Sequence, residues 1–148
     1  MTAGYLLDTN HVSRAVTPRS PVQKRVAELR QRGVKVGTCV PVLCEIEAGI
    51  QQVSKPDAYR QNLQRLLRQI RVWPIDPATA TIYGVIHHDL KRRGRALSQV
   101  DMMLAALARQ MNLTLATSDQ DFTALPDITT ENWLAPTSGA QGEALSQA

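Results

Sequence analysis

GYLLDTNHV, residues 4–12, sets a short apolar run, Tyr5, Leu6 and Leu7, directly against a carboxylate, Asp8. An uninterrupted apolar triplet fits a strand buried on both faces, as in parallel sheets covered by helices. Asp8 then falls at the C-terminal end of that strand, where open α/β sheets bind their ligands. Thr9 and Asn10 are able to start a helix immediately after it. Two readings of Asp8 are open at this point: a cap for that helix, which is the commoner role of Asp in such a turn, or a functional carboxylate. The positions of the other acids decide between them.

The chain has 148 residues, within the range of one domain with a proper core. Hydrophobic residues at 43% and charged residues at 20% fit a globular protein and argue against disorder. No apolar run approaches the roughly 20 residues that span a bilayer, and no basic, apolar signal segment opens the chain, so a cytoplasmic protein is expected. Cys39 and Cys44 form no CxxC pair, which argues against zinc or thioredoxin-like chemistry and for small, reduced hydrophobes. Lys and Arg outnumber Asp and Glu by 17 to 13, and 13 of the 17 are Arg. Guanidinium forks match phosphate oxygens, so the bias suits a polyanionic partner.

Outward from Asp8, strands and helices alternate. A first helix is expected from Asn10 to Ala15, stopping near Pro18, and a second after Ser20 with Pro21 in its first turn and Gly33 at its end. Lys35 to Val40 reads as a second strand. Pro41 opens a third helix whose apolar arc holds Val42, Ile46, Gly49 and Ile50 at about 100° per residue. Glu45 and Glu47 border that arc on opposite sides, and periodicity does not choose between them. A helix from Pro56 to Ile70 should bury Leu63, Leu66, Leu67 and Ile70 while Arg60, Arg65 and Arg68 face solvent. Arg71 to Ile75 is a third strand. Asp76 and Pro77 start a helix carrying Ile82, Val85, Ile86 and Leu90.

That helix runs out in KRRGR, residues 91–95. Lys91, Arg92, Arg93 and Arg95 read either as a flexible basic loop that holds phosphates or as cations complementing a helix C-terminus. Ser98 to Asn112 is a strong helix former. Its Asp101, three residues after Ser98, is either half of a capping box or a carboxylate held rigidly in a first turn. Leu113 to Ala116 is a fourth strand with Asp119 just past its end and Asp121 close behind. Ile128 and Thr129 begin a weak fifth strand leading to Trp133, whose ring should pack on the domain body. His11, His87 and His88 lack the i, i+4 spacing of a shared metal site and read as surface or core residues. The domain is expected to cover residues 1–135, with a small, polar, disordered tail at 136–148.

The alternation points to a parallel sheet with helices on both faces. Asp8, Glu45, Asp101 and Asp119 all fall at strand ends or in the helices that follow. If they converge, a divalent cation offsets their repulsion, and an all-oxygen set favours Mg²⁺ or Mn²⁺.

LLDTN at 6–10, CEIEAGI at 44–50, VDMMLAALA at 100–108 and LATSDQDF at 115–122 together resemble the four acidic motifs of PIN-domain ribonucleases, in particular the VapC type of bacterial toxin. The resemblance covers nearly the whole chain, Tyr5 to Trp133. It implies a three-layer α/β/α sandwich around a central, mostly parallel sheet of four to five strands. The first acid matches Asp8, the helix acid matches Glu45 rather than Glu47, the third matches Asp101 and the fourth Asp119, with Asp121 near enough to take part. Thr9 and Thr117 resemble hydroxyl residues that help hold water or metal. Val100 stands where many relatives have a polar or small residue, which leaves Asp101 unaffected.

The resemblance further implies one or two Mg²⁺ ions held by Asp8, Asp101 and Asp119 with Glu45 in support. It implies cleavage of RNA, often a structured one such as transfer RNA, to a 3′-hydroxyl and a 5′-phosphate. A small cognate antitoxin and a homodimer are implied as partners. Residues 91–95 precede the third motif, which tilts their reading towards RNA binding. Two other classes stay open: a PIN-like nucleic-acid-binding module without turnover, and a DNA-directed nuclease.

Overall fold

The computed structural model describes residues 1–134; the tail expected at 136–148 lies outside them. Strand β1 (Tyr5–Leu7) is followed by α1 (Thr9–Val16), α2 (Pro21–Gln31), β2 (Val36–Cys39), α3 (Val40–Ile50) and α4 (Pro56–Leu67). Then come β3 (Arg71–Trp73), α5 (Pro77–Arg92), α6 (Gln99–Met111), β4 (Thr114–Ala116), a 3₁₀ turn (Gln120–Ala124) and β5 (Thr130–Glu131). The five strands form one sheet in the order β3-β2-β1-β4-β5, and every neighbouring pair is parallel. Helix α1 packs on α2, α3 and α4, α5 pairs with α6, and α3 also touches α6; with the parallel sheet this is the expected α/β architecture.

β1 lies in the middle of the sheet, and its Leu6 and Leu7 are fully buried. From β1 the chain steps outward on one side to β2 and β3, then returns to the other side for β4 and β5. The strand order therefore reverses between β1 and β4, where Leu7 pairs with Ala116. Such a reversal opens a crevice at the C-terminal edge of the strands. Gly37 in β2 is required by packing: a Cβ there would lie 2.6 Å from the Arg71 carbonyl oxygen and 2.7 Å from the Trp73 ring.

The local signals act as expected at most helix ends. The Ser20 side chain caps α2 ahead of Pro21, Asp76 and Thr79 form a reciprocal capping box on α5, and Gly33 takes a φ of +76° after α2. Three expectations are corrected. Val40 opens α3 instead of ending β2, and its side chain is exposed. Val85 is 59% exposed, because the inward stripe of α5 is Thr79, Ile86 and Leu90, flanked by the partly buried Ile82 and Tyr83. Arg60 does not simply face solvent but binds Glu47, with Nη1 2.8 Å from both carboxylate oxygens. Among the described residues no helix is long and apolar enough to cross a membrane.

Candidate active site

Asp8 stands at the reversal point. Its backbone N–H donates to the Ala116 carbonyl oxygen at 3.1 Å, tying the end of β1 to the end of β4. Its side chain caps α1: Oδ1 accepts the His11 backbone N–H at 2.9 Å. The capping role read for Asp8 is therefore real, and it fixes the carboxylate in the crevice. Only 7% of Asp8 is exposed.

The next residue, Thr9, donates its hydroxyl hydrogen to Oε1 of Glu45 on α3. The structure thereby separates the two glutamates. Glu45 joins the residues at the end of β1, whereas Glu47 is engaged by Arg60 from α4.

Asp101 lies in the first turn of α6, whose direction opposite to the strands brings its N-terminus to the same edge. Ser98 caps that helix by accepting the Asp101 backbone N–H at 3.1 Å. Burial pushes the Asp101 pKa up to about 6, a bond with Ser98 opposes the rise, and the neighbouring carboxylates of Asp119 and Asp8 add to it. Asp101 thus feels the charges of both Asp119 and Asp8.

Asp119 is positioned by β4 and the turn after it. Its N–H donates to the Thr117 hydroxyl at 3.1 Å, and its Oδ1 accepts the Asp121 N–H at 2.8 Å, capping the 3₁₀ turn. Thr117 is buried and serves here to aim Asp119, and Asp121 is exposed and contributes its backbone N–H.

Among the described residues no three His, Cys, Asp or Glu side chains form a ready-made metal cage. The chemistry of the donor set nonetheless fits a hard divalent cation: the donors are carboxylate oxygens, and the cost of ionising Asp101 between Asp119 and Asp8 is of the kind a bound cation reverses.

The residues 91–95 do not form a flexible loop. Lys91 and Arg92 belong to α5, Arg93 is its C-cap and Gly94 has a φ of +67°. Arg92 and Arg93 both bind Asp89, and Arg93 also donates to the Ala124 carbonyl oxygen at 2.6 Å, joining α5 to the 3₁₀ turn. Lys91 and Arg95 are exposed.

Sequence reasoning missed His11. Its side chain is completely buried, and its Nδ1 lies 2.9 Å from Asp8 Oδ1. Its Nε2 accepts the Trp133 backbone N–H at 3.0 Å. The signal present in the chain was the spacing: a residue three positions after a capping Asp sits where side chain and cap meet. His87 and His88 are exposed, as read.

A PIN domain family model matches residues 5–128, and the chain belongs to that family. It is 24% identical over 130 residues to Ribonuclease VapC2 of Rickettsia felis, covering 87% of this chain and 97% of that relative. It is 29% identical over 121 residues to Toxin FitB of Neisseria gonorrhoeae, covering 77% of this chain and 86% of that relative. Among solved structures, VapBC2 from Rickettsia felis bound to a DNA fragment from their promoter superposes with a TM-score of 0.79 at 22% identity. The match covers 87% of this chain and 98% of that one.

Proposed function

We propose that this protein is a metal-dependent endoribonuclease of the toxin type, neutralised by a cognate antitoxin and acting in the cytoplasm as a homodimer. The observation that carries the reading is the placement of the acids at the crevice where the strand order reverses: Asp8 ends β1 and is tied to the end of β4, Asp119 follows β4, and Glu45 is bonded to Thr9. Membership of the PIN domain family and the likeness to a protein named as a ribonuclease and another named as a toxin support it.

Asp8, Asp101 and Asp119 would hold Mg²⁺ or Mn²⁺, with Glu45 in support. When bound, the cation would polarise the scissile phosphodiester and lower the pKa of the attacking water. The chain's own part is to hold the carboxylates still. Asp8 is fixed by the first turn of α1, Glu45 by Thr9, and Asp119 by the Asp121 backbone N–H. The excess of arginine draws in a polyanion that the acids alone would repel. A structured RNA such as transfer RNA is the first substrate to test.

The experiment is to incubate the purified chain with transfer RNA, unstructured RNA and DNA in Mg²⁺, with parallel arms in excess EDTA and with Asp8→Asn. RNA cleavage is expected only with Mg²⁺ and the native Asp8, and the variant should still bind RNA. Full cleavage in EDTA, or by Asp8→Asn, refutes the reading. Cleavage confined to DNA replaces it with a DNA-directed nuclease, and binding without any cleavage replaces it with a binding module.

A further inference from the structure

His11, in the first turn of α1, has a completely buried side chain beside Asp8. Its two ring nitrogens have different partners, and those partners fix the proton. The backbone N–H of Trp133 only donates, so Nε2 must carry the lone pair. The ring proton then sits on Nδ1 and points to Asp8 Oδ1, 2.9 Å away. The same oxygen also accepts the His11 backbone N–H. Both bonds fall on Oδ1, which leaves Oδ2 outside this pair.

Trp133 is itself held in place. Its indole Nε1 donates to Glu131 Oε1 at 3.1 Å, its ring lies 5.2 Å from that of Tyr5, and the Arg25 guanidinium sits 5.7 Å from its centroid. A continuous chain therefore runs from the segment after β5, through one imidazole, to the carboxylate at the end of β1.

We propose that His11 is a positioning residue for the metal site: as the Nδ1–H tautomer set by the Trp133 backbone, it holds the Asp8 carboxylate in one orientation and directs Oδ2 to the cation. The inference rests on the reading of Asp8 as a metal ligand. Partners of this kind, one bond behind a ligand, typically change metal affinity or activity by about 10–100-fold when removed.

Two measurements test it on the full chain. The first needs no variant: ¹⁵N spectra of the imidazole in the native protein should show Nδ1 protonated and Nε2 bare. The reverse tautomer overturns the proposal. The second is Mn²⁺ titration by calorimetry of the native chain, His11→Leu and His11→Asn. His11→Leu keeps bulk without a donor and should bind Mn²⁺ at least about ten-fold more weakly. His11→Asn restores a short N–H donor and should recover part of that loss. If His11→Leu fails to fold, His11→Asn against His11→Met, which offers no donor and no charge, makes the same comparison. Equal affinity in folded variants with and without a donor refutes the positioning role. If the native chain binds no Mn²⁺, the metal-site reading itself fails, an outcome distinct from native binding that His11→Leu leaves unchanged.

Discussion

The hydroxyl of Thr9 donates to Oε1 of Glu45, a residue 36 positions further along the chain. That bond joins the start of α1 to the second turn of α3 and decides which of two neighbouring glutamates belongs to the crevice. A hydrogen bond to a charged group contributes about 1.5–3 kcal/mol in general, and this one is partly solvated. Thr9→Val should therefore lower kcat/KM on RNA by about ten-fold. Thr9→Ser, which keeps the hydroxyl, should stay near the native rate. Equal rates for Val and Ser would show that Glu45 needs no anchor.

Glu47 supplies the contrasting case. It is two residues from Glu45 and equally acidic, but Arg60 holds both its oxygens at 2.8 Å. Both side chains of the pair are more than a third exposed, so its contribution to stability should be no more than about 1 kcal/mol. Glu47→Gln is expected to cleave RNA at the native rate with a small drop in thermal midpoint. Glu45→Gln should lose rate without that drop. A loss of cleavage in Glu47→Gln as large as in Glu45→Gln would contradict the assignment.

Asp101 makes stability depend on pH in a direction opposite to most carboxylates. Its pKa is about 6 in the folded chain against an ordinary 3.8, because of burial and then of Asp119 and Asp8. The folded chain thus binds this proton more tightly than the unfolded one. Without metal, the group should favour folding below about pH 4, and that advantage should fade as pH rises through about 6. With the discount for partial exposure, Asp101→Asn should stabilise the metal-free protein at pH 7 by about 1 kcal/mol and flatten its pH profile. It should also abolish cleavage. Thermal melts at pH 5 and pH 7, with and without Mg²⁺, measure this, and a variant less stable than the native chain at pH 7 would reverse the sign.

The parts of this fold that are written locally were legible in the chain. The apolar run before Asp8, the Asp76-Pro77 start of α5, the Ser20-Pro21 start of α2 and Gly33 each depend on neighbours within a few residues, and each acts as read. What was not legible depends on contacts between distant segments. Val85 follows the apolar rhythm of α5 and yet is exposed, because the width of the buried stripe is set by α6. The partner of Glu47 is an arginine on another helix, and Arg93 finds its acceptor at Ala124. His11 joins both kinds: its link to Asp8 is three residues long, while its link to Trp133 crosses 122. Asp8 and Asp119 could be placed just past strand ends from the chain alone, but that they lie on neighbouring strands required the sheet order, which puts β4 beside β1.

The cations at the end of α5 divide by their partners. Arg92 and Arg93 are committed to Asp89, and Arg93 also secures the 3₁₀ turn, so its loss should lower stability. Lys91 and Arg95 are exposed on the wall of a cavity shared with Leu97 and Met102, beside the first turn of α6 that carries Asp101. If RNA passes over that wall, each of these two cations releases counterions from the nucleic acid when it binds. Each then contributes roughly 0.7 to the slope of log affinity against log salt for a single strand. The Lys91→Ala and Arg95→Ala double variant should therefore bind RNA more weakly at low salt, with a slope shallower by about 1.4. Its thermal midpoint and its cleavage rate at saturating RNA should match the native chain. Binding isotherms across a salt series measure the slope, and an unchanged slope would place the RNA path away from α5.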